Sequence, residues 1–141
     1  MSHDRIPRLH HGIDVTEVER IREAMSRGHG FEEKVFTQGE RDYCNGMAHP
    51  AIHFAARFAA KEATLKALGL GLGAIGIARS LQDIETVREE GPPRIVLRGK
   101  PKAVADKYGV IQTILSITHT DEHAIASVVM MSWMTPEGDE A

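Results

Sequence analysis

The chain has 141 residues, 42% of them hydrophobic and 26% charged, and a formal net charge of −3. That length fits one domain with a real core, and one cysteine, Cys44, excludes an intramolecular disulfide framework. No apolar run approaches the ~18 residues of a membrane span, the start MSHDRIPRLHH lacks the apolar middle of a signal peptide, and a slightly acidic chain has no global attraction for nucleic acid; the expectation is a cytoplasmic protein whose basic surface is confined to patches.

Residues 1–8 and 135–141 read as loose polar ends of a single domain spanning 1–141. Leu9 to Thr16 alternates as a strand, with Ile13 and Val15 on one face and Asp14 and Thr16 on the other. Val18, Ile21 and Met25 then take helical spacing, which predicts a helix from about Thr16 to Arg27, with Thr16 and Glu19 as a capping box and Gly28 and Gly30 as its stop. Phe31 to Phe36 predicts a helical turn, and Thr37 with Glu40 a second capping box opening a short helix to Tyr43 or Cys44. The strongest element is a helix from about Pro50 to Leu68, opened by proline, filled by alanine and stopped by Gly69. Residues 69–76 form a glycine-rich loop. Strands are expected near 81–88, 94–98, 111–118 and 123–133, with a helix from Lys100 or Pro101 to Lys107 closed by Gly109. The short turn at 119–122 makes the last two strands an antiparallel hairpin. Helices early and strands late give an α+β class, with a small, partly antiparallel sheet packed on one long helix and shorter ones.

The long helix carries the chemistry. Phe54, Phe58 and Leu65 form an apolar stripe, with Glu62 at its edge, Lys66 one turn beyond on the same side, and Arg57 and Lys61 on the opposite edge. A carboxylate beside a buried stripe needs a cation, which is either Lys66 through an i,i+4 pair or a metal ion. Asp14 interrupts the apolar strand GIDV, where it either caps nearby amides or joins Glu62 as a second oxygen ligand. Two carboxylates suffice for Mg²⁺ when a polyphosphate completes its octahedron. Arg20 and Arg27 share a helical face that Arg22 and Lys34 extend, either as a solvated surface or as a patch for an acidic partner.

Four segments in register, GIDVTEVERI (12–21), FEEKVFTQGERDYC (31–44), RFAAKEATLKALG (57–69) and SITHT (116–120), resemble the holo-acyl-carrier-protein synthases, the short homotrimeric 4′-phosphopantetheinyl transferases. The resemblance covers roughly residues 9–132. It implies the phosphopantetheinyl transferase fold and a reaction in which a serine hydroxyl of an apo acyl carrier protein attacks the β-phosphate of coenzyme A. Adenosine 3′,5′-bisphosphate is released, in the service of fatty acid biosynthesis. It also implies that Asp14 and Glu62 hold magnesium, that Lys66 assists proton transfer or stabilises the pyrophosphate, and that Arg57, His119 and Lys61 serve coenzyme A. Carrier recognition falls on the first helix, at Arg20 and then Arg27. The implied trimer has active sites between subunits, with Asp14 and His119 from one chain and Glu62 from its neighbour. His10-His11 before the GID segment, and Thr118 in place of a serine before the histidine, depart from the usual pattern.

Other signals weigh less. Gly71, Gly73 and Gly76 spell GxGxxG, but a helix precedes them where a dinucleotide fold needs a strand. The pairs His49/His53 and His119/His123 read as solvated or hydrogen-bonded rather than zinc-binding. Cys44 reads as a small packed residue, and VVMMSW as core, with a length that suits a subunit interface. Two rivals stay open: a transferase serving a polyketide or peptide synthase carrier, and a non-catalytic module that holds coenzyme A or a carrier without turnover.

Overall fold

The computed structural model describes residues 6–70 and 81–134. β1 (Ile6–Glu17) runs without a loop into α1 (Val18–Ser26). Two short helices follow, α2 (Phe31–Val35) and α3 (Gln38–Asn45), then the long α4 (Pro50–Ala67). The second half contains β2 (Ile84–Val87), β3 (Arg94–Leu97), α5 (Gly99–Tyr108), β4 (Val110–His119) and β5 (His123–Met134). Gly69 and Gly109 stop α4 and α5 at φ values of 75° and 73°, a left-handed turn that glycine makes without a side-chain clash. The strand expected at 81–88 is shorter, because residues 81–83 form a turn before β2. Gly71, Gly73 and Gly76 lie outside the described residues.

β5 is the central strand of a three-stranded antiparallel sheet, β1–β5–β4, while β2 and β3 form a separate antiparallel pair. The first strand therefore zips onto the last along its whole length, from Ile6 opposite Met134 to Glu17 opposite His123. This is the α+β architecture expected, with the hairpin of β4 and β5 in place. Among the described residues, no helix is long and apolar enough to cross a membrane.

The two capping boxes fare differently. Thr37 and Glu40 exchange both bonds at the start of α3: the Thr37 hydroxyl accepts from the Glu40 amide at 3.1 Å, and the Glu40 carboxylate accepts from the Thr37 amide at 3.0 Å. The box expected at Thr16 and Glu19 does not form. Thr16 still belongs to β1, Glu17 is the N-cap of α1 without a side-chain bond, and the Val18 amide donates instead to the Glu122 carbonyl at 2.9 Å.

α4 lies across the inner face of the sheet and is buried almost all round, rather than along the single stripe its phenylalanines suggested. One side packs Ala59, Ala60, Ala63 and Ala67 with Leu115 of β4 and Ala126, Val128 and Met130 of β5. The other side packs Phe54, Ala55 and Leu65 with Val18, Ile21, Phe36, Cys44 and Ile84. Burial pushes the Cys44 thiol up to about 12, which fits a packing residue rather than a nucleophile. In VVMMSW, Val128, Met130 and Ser132 are buried and their neighbours only partly so.

The alternation of β1 is resolved in an unusual sense. Gly12, Asp14 and Thr16 point inward, while Ile13 and Val15 point outward and are 51% and 60% exposed, beside Leu9 at 69%. Gly12 explains how β1 comes so near α4: a Cβ there would stand 1.9 Å from the Ala63 carbonyl oxygen. Gly12→Ala is expected to lower stability by about 3 kcal/mol or more through overpacking against backbone, read as a lower midpoint in urea denaturation. An unchanged midpoint would show that the strand and helix separate easily.

Candidate active site

Asp14 and Glu62 meet in one chain. Both line a cavity of about 460 Å³ bounded also by Thr16, Arg20, Arg27 and Phe58. The strand supplies Asp14, the helix supplies Glu62, and the Gly12–Ala63 contact holds the two elements together. The Thr16 hydroxyl donates to Asp14 Oδ2 at 2.6 Å, which fixes the carboxylate orientation. Lys66 Nζ donates to Asp14 Oδ1 at 3.2 Å and to the Ile13 carbonyl at 2.9 Å. Lys66 therefore pairs across to the strand rather than with Glu62 along its own helix.

Glu62 is only 7% exposed. Burial raises its carboxyl above the usual glutamate value, and the neighbouring Asp14 charge raises it further against the opposing pull of Lys66. Among the described residues no side chain donates a hydrogen bond to this carboxylate. Two crowded carboxylates, one of them short of donors, are hard oxygen ligands that fit a cation such as Mg²⁺, whose remaining positions go to water and phosphate oxygens. No group of three or more His, Cys, Asp or Glu side chains able to hold a metal occurs among the described residues.

Arg20 and Arg27 border this same cavity and are exposed, so a cationic rim adjoins the paired carboxylates. Arg22 does not extend that rim. It pairs with Glu19 at 2.5 Å and lines a separate cleft with Glu17, Asp121 and Glu122.

Arg57 and His119 meet in a second cavity, of about 310 Å³, with Tyr43, His53 and Arg88. Arg57 is 5% exposed, its guanidinium carbon lies 4.1 Å from the centre of the Tyr43 ring, and its Nε has no hydrogen-bond partner. A buried guanidinium left short of acceptors is a receptor for an anion.

Two expectations are corrected. Lys61 does not reach either cavity. It is fully buried, and its Nζ donates to Glu40 Oε1 at 2.8 Å and to the carbonyls of Leu81 and Ile84, so all three of its donors are used internally and none is left for a ligand. Glu40 completes the same cluster by accepting from the Thr86 amide at 2.9 Å. The second correction concerns subunits: Asp14 and Glu62 share a cavity within one chain, whereas His119 lies in the other cavity.

Some lining residues escaped the sequence. Thr16 shares the Asp14 face by strand alternation, a signal masked by its fit to a capping box. His53 lies one turn before Arg57 on α4 and follows from helical spacing, but Arg88 and Tyr43 are brought in by tertiary contacts alone.

In the ion-free protein the folded state holds the Glu62 proton to higher pH than the unfolded chain does. Stability from this group is complete below the ordinary value of 4.5 and is lost as pH rises through the raised folded value. Glu62→Gln is therefore expected to melt higher than wild type at neutral pH without metal, with the gap closing in acid. Added Mg²⁺ should raise the wild-type melting temperature and leave the variant unmoved. Identical melting profiles across pH would show that Glu62 is not under charge strain.

The matched family model is described as the 4′-phosphopantetheinyl transferase superfamily and spans residues 11–128. A holo-[acyl-carrier-protein] synthase of Moorella thermoacetica is 39% identical over 131 residues, covering 92% of this chain and 99% of that protein. The crystal structure of a holo-(acyl-carrier-protein) synthase from Bacillus anthracis, in complex with CoA (3′,5′-ADP), aligns with a TM-score of 0.68 at 33% identity, over 87% of this chain and 96% of that one. The Helicobacter pylori holo-[acyl-carrier-protein] synthase in complex with coenzyme A aligns with a TM-score of 0.69 at 30% identity, over 85% and 98%. A strand aspartate and a helix glutamate share one cavity, an arginine and a histidine share another, and the family pattern runs through nearly all of the described chain: the protein belongs to the 4′-phosphopantetheinyl transferase superfamily.

Proposed function

We propose that this chain transfers the 4′-phosphopantetheine group of coenzyme A to a serine hydroxyl of an apo acyl carrier protein, with Mg²⁺ held by Asp14 and Glu62, in the cytoplasm and for fatty acid biosynthesis. The observation that carries the reading is the convergence of Asp14, Glu62, Arg20 and Arg27 on one cavity. The names of the relatives and their coenzyme A complexes support it. In the transfer, the serine Oγ bonds to the β-phosphorus as the pyrophosphate P–O bond breaks. Adenosine 3′,5′-bisphosphate leaves with the bonding electrons, and the serine proton passes to solvent.

The residues divide the work. When bound at Asp14 and Glu62, Mg²⁺ supplies charge neutralisation and Lewis acidity to the donor pyrophosphate. Thr16 fixes the Asp14 carboxylate in one orientation, and Lys66 adds a positive charge 3.2 Å from Asp14 Oδ1, where it offsets negative charge gathered around the leaving group. Phe31 and Phe58 wall the cavity and limit water. Arg20 and Arg27 draw an acidic carrier to the cavity mouth, so that its serine arrives beside the reacting phosphate. Arg57 and His119 hold the phosphorylated nucleotide end of the donor.

One copy of the chain is a poor receptor for the whole donor. Arg57 and Glu62 are five residues apart on α4, so they point about 140° apart around the helix and about 7.5 Å along it. The outward face of the sheet offers the remedy: Leu9, Ile13, Val15 and Ile114 are each more than half exposed, an apolar surface suited to a second copy. In the homotrimer we propose, the Asp14–Glu62 cavity of one subunit faces the Arg57–His119 cavity of its neighbour.

Incubation with coenzyme A, Mg²⁺ and apo-carrier, read by mass, should show the carrier gaining phosphopantetheine, and Asp14→Ala should abolish the gain without unfolding the protein. Coenzyme A binding with no transfer to any carrier would instead make the chain a binding module. Arg20→Glu is expected to raise KM for the carrier with little change in kcat, and to flatten the salt dependence of kcat/KM; an unaltered salt dependence would remove the patch from carrier recognition. Co-refolding Glu62→Ala with His119→Ala, each inactive alone, should restore part of the activity through mixed oligomers. No recovery would place both groups of the site in one subunit.

A further inference from the structure

The Arg57–His119 cavity contains more titratable chemistry than a single guanidinium. His53, on the same face of α4 as Arg57, sits edge-on to His119 of β4, with ring centroids 5.9 Å apart at 70°. It also meets Tyr43 of α3, with ring centroids 6.0 Å apart at 78°. Arg57 and His49 face it from α4 and its cap, and Arg88 from the segment after β2. Among the described residues, no carboxylate lines the cavity. Partial burial and then the charges of Arg57, His119, Arg88 and His49 hold the His53 imidazole below the usual histidine range, which favours its neutral form near neutral pH.

We propose that His53 is a protonatable ligand for a phosphate monoester dianion in this cavity, so that each dianion bound draws a proton onto its imidazole. The proposal rests on the reading of coenzyme A as donor, whose ribose carries such a group, and it adds to that reading a residue and a pH dependence. The physical argument is one of sign. With the cavity free of anion, a second and third positive charge beside Arg57 repel one another. A dianion placed against the partnerless Arg57 Nε reverses the local potential. His53 then gains a charge-assisted hydrogen bond that a neutral ring cannot give, and binding takes up a proton from solvent.

Calorimetry of adenosine 3′,5′-bisphosphate binding, in buffers of differing ionisation enthalpy at about pH 7, measures the uptake directly. Wild type should take up close to one proton per ligand, with an affinity that falls by up to about tenfold per pH unit as pH rises. His53→Gln should lose most of this uptake and flatten the pH profile while still binding. Dephospho-coenzyme A, which has no monoester, should bind wild type without proton uptake. The wild-type protein gives an independent reading, because the His53 ring resonance should titrate at higher pH when the bisphosphate is bound. Equal uptake by wild type and His53→Gln, or a His53 titration unmoved by ligand, overturns the proposal even if transfer proceeds normally. Proton-coupled binding of the bisphosphate with no transfer to any carrier would sustain it and sink the transferase reading.

Discussion

The architecture turns on one contact, the backbone of β1 laid against the backbone of α4 at Gly12 and Ala63. A strand and a helix rarely come so near, because side chains keep them apart. Here the spacer is missing on the strand side: Gly12 has no side chain, and a Cβ in its place would fall on the Ala63 carbonyl. Ala59, Ala60 and Ala67 extend the same small-residue surface along the helix. Asp14 lies two residues after this contact on the strand and Glu62 one residue before it on the helix, so the closeness of the elements becomes the closeness of the two carboxylates. Alanines bury little apolar area, and the compensating packing lies on the far side of the helix, where Phe36, Phe54, Leu65 and Ile84 are buried.

The burial of α4 sets the fate of its charges, and the distinction among them is made by acceptors rather than by exposure. Lys61 and Arg57 are both buried cations one turn apart. Lys61 meets a carboxylate and two carbonyls, so its charge is consumed in joining α3, α4 and the start of β2. Arg57 meets an aromatic face and no acceptor for its Nε. Glu62 is the mirror case, a carboxylate with a second carboxylate beside it. Leaving a buried polar group unmet typically costs ~1–3 kcal/mol, and a fold keeps such groups where a ligand meets them. Under the proposed function, the anion and the cation that α4 turns to different sides would meet the two ends of the donor, each end held by a different subunit.

Much of this was legible because local chemistry and tertiary context agree. Pro50 and Gly69 bound α4 as their backbone preferences require, and the Thr37–Glu40 box forms in full. The same box pattern at Thr16 and Glu19 fails because β1 stays paired with β5 through Glu17 opposite His123, which keeps Thr16 extended and turned inward to Asp14. Alternation along β1 separated two faces but carried no label for the inner one, and hydrophobicity alone would choose Ile13 and Val15. Helical spacing put Arg57 and Lys61 on one edge, yet Lys61 is claimed by Glu40, 21 residues away. Pairing of the first strand with the last, and the approach of Arg88 to His53, depend on long-range register that no local pattern encodes.

The inversion of β1 ties assembly to chemistry under the proposed trimer. A strand that turns its polar residues inward to build a site has nowhere to put its apolar ones except outside. Full burial of a leucine, isoleucine or valine side chain is worth about 1.5–3 kcal/mol, so Leu9, Ile13 and Val15 left in water forfeit stability that a second copy restores. The strand that positions Asp14 is then clamped from both sides, by α4 within the chain and by a neighbour outside it. Loosening either clamp would let Asp14 drift from Glu62, so dissociation of the proposed oligomer would weaken the proposed metal pair as well as separate the two donor cavities. In that proposal, oligomer formation and carboxylate geometry would be a single cooperative property of β1, whose inward residues would hold the ion and whose outward residues would hold the partner.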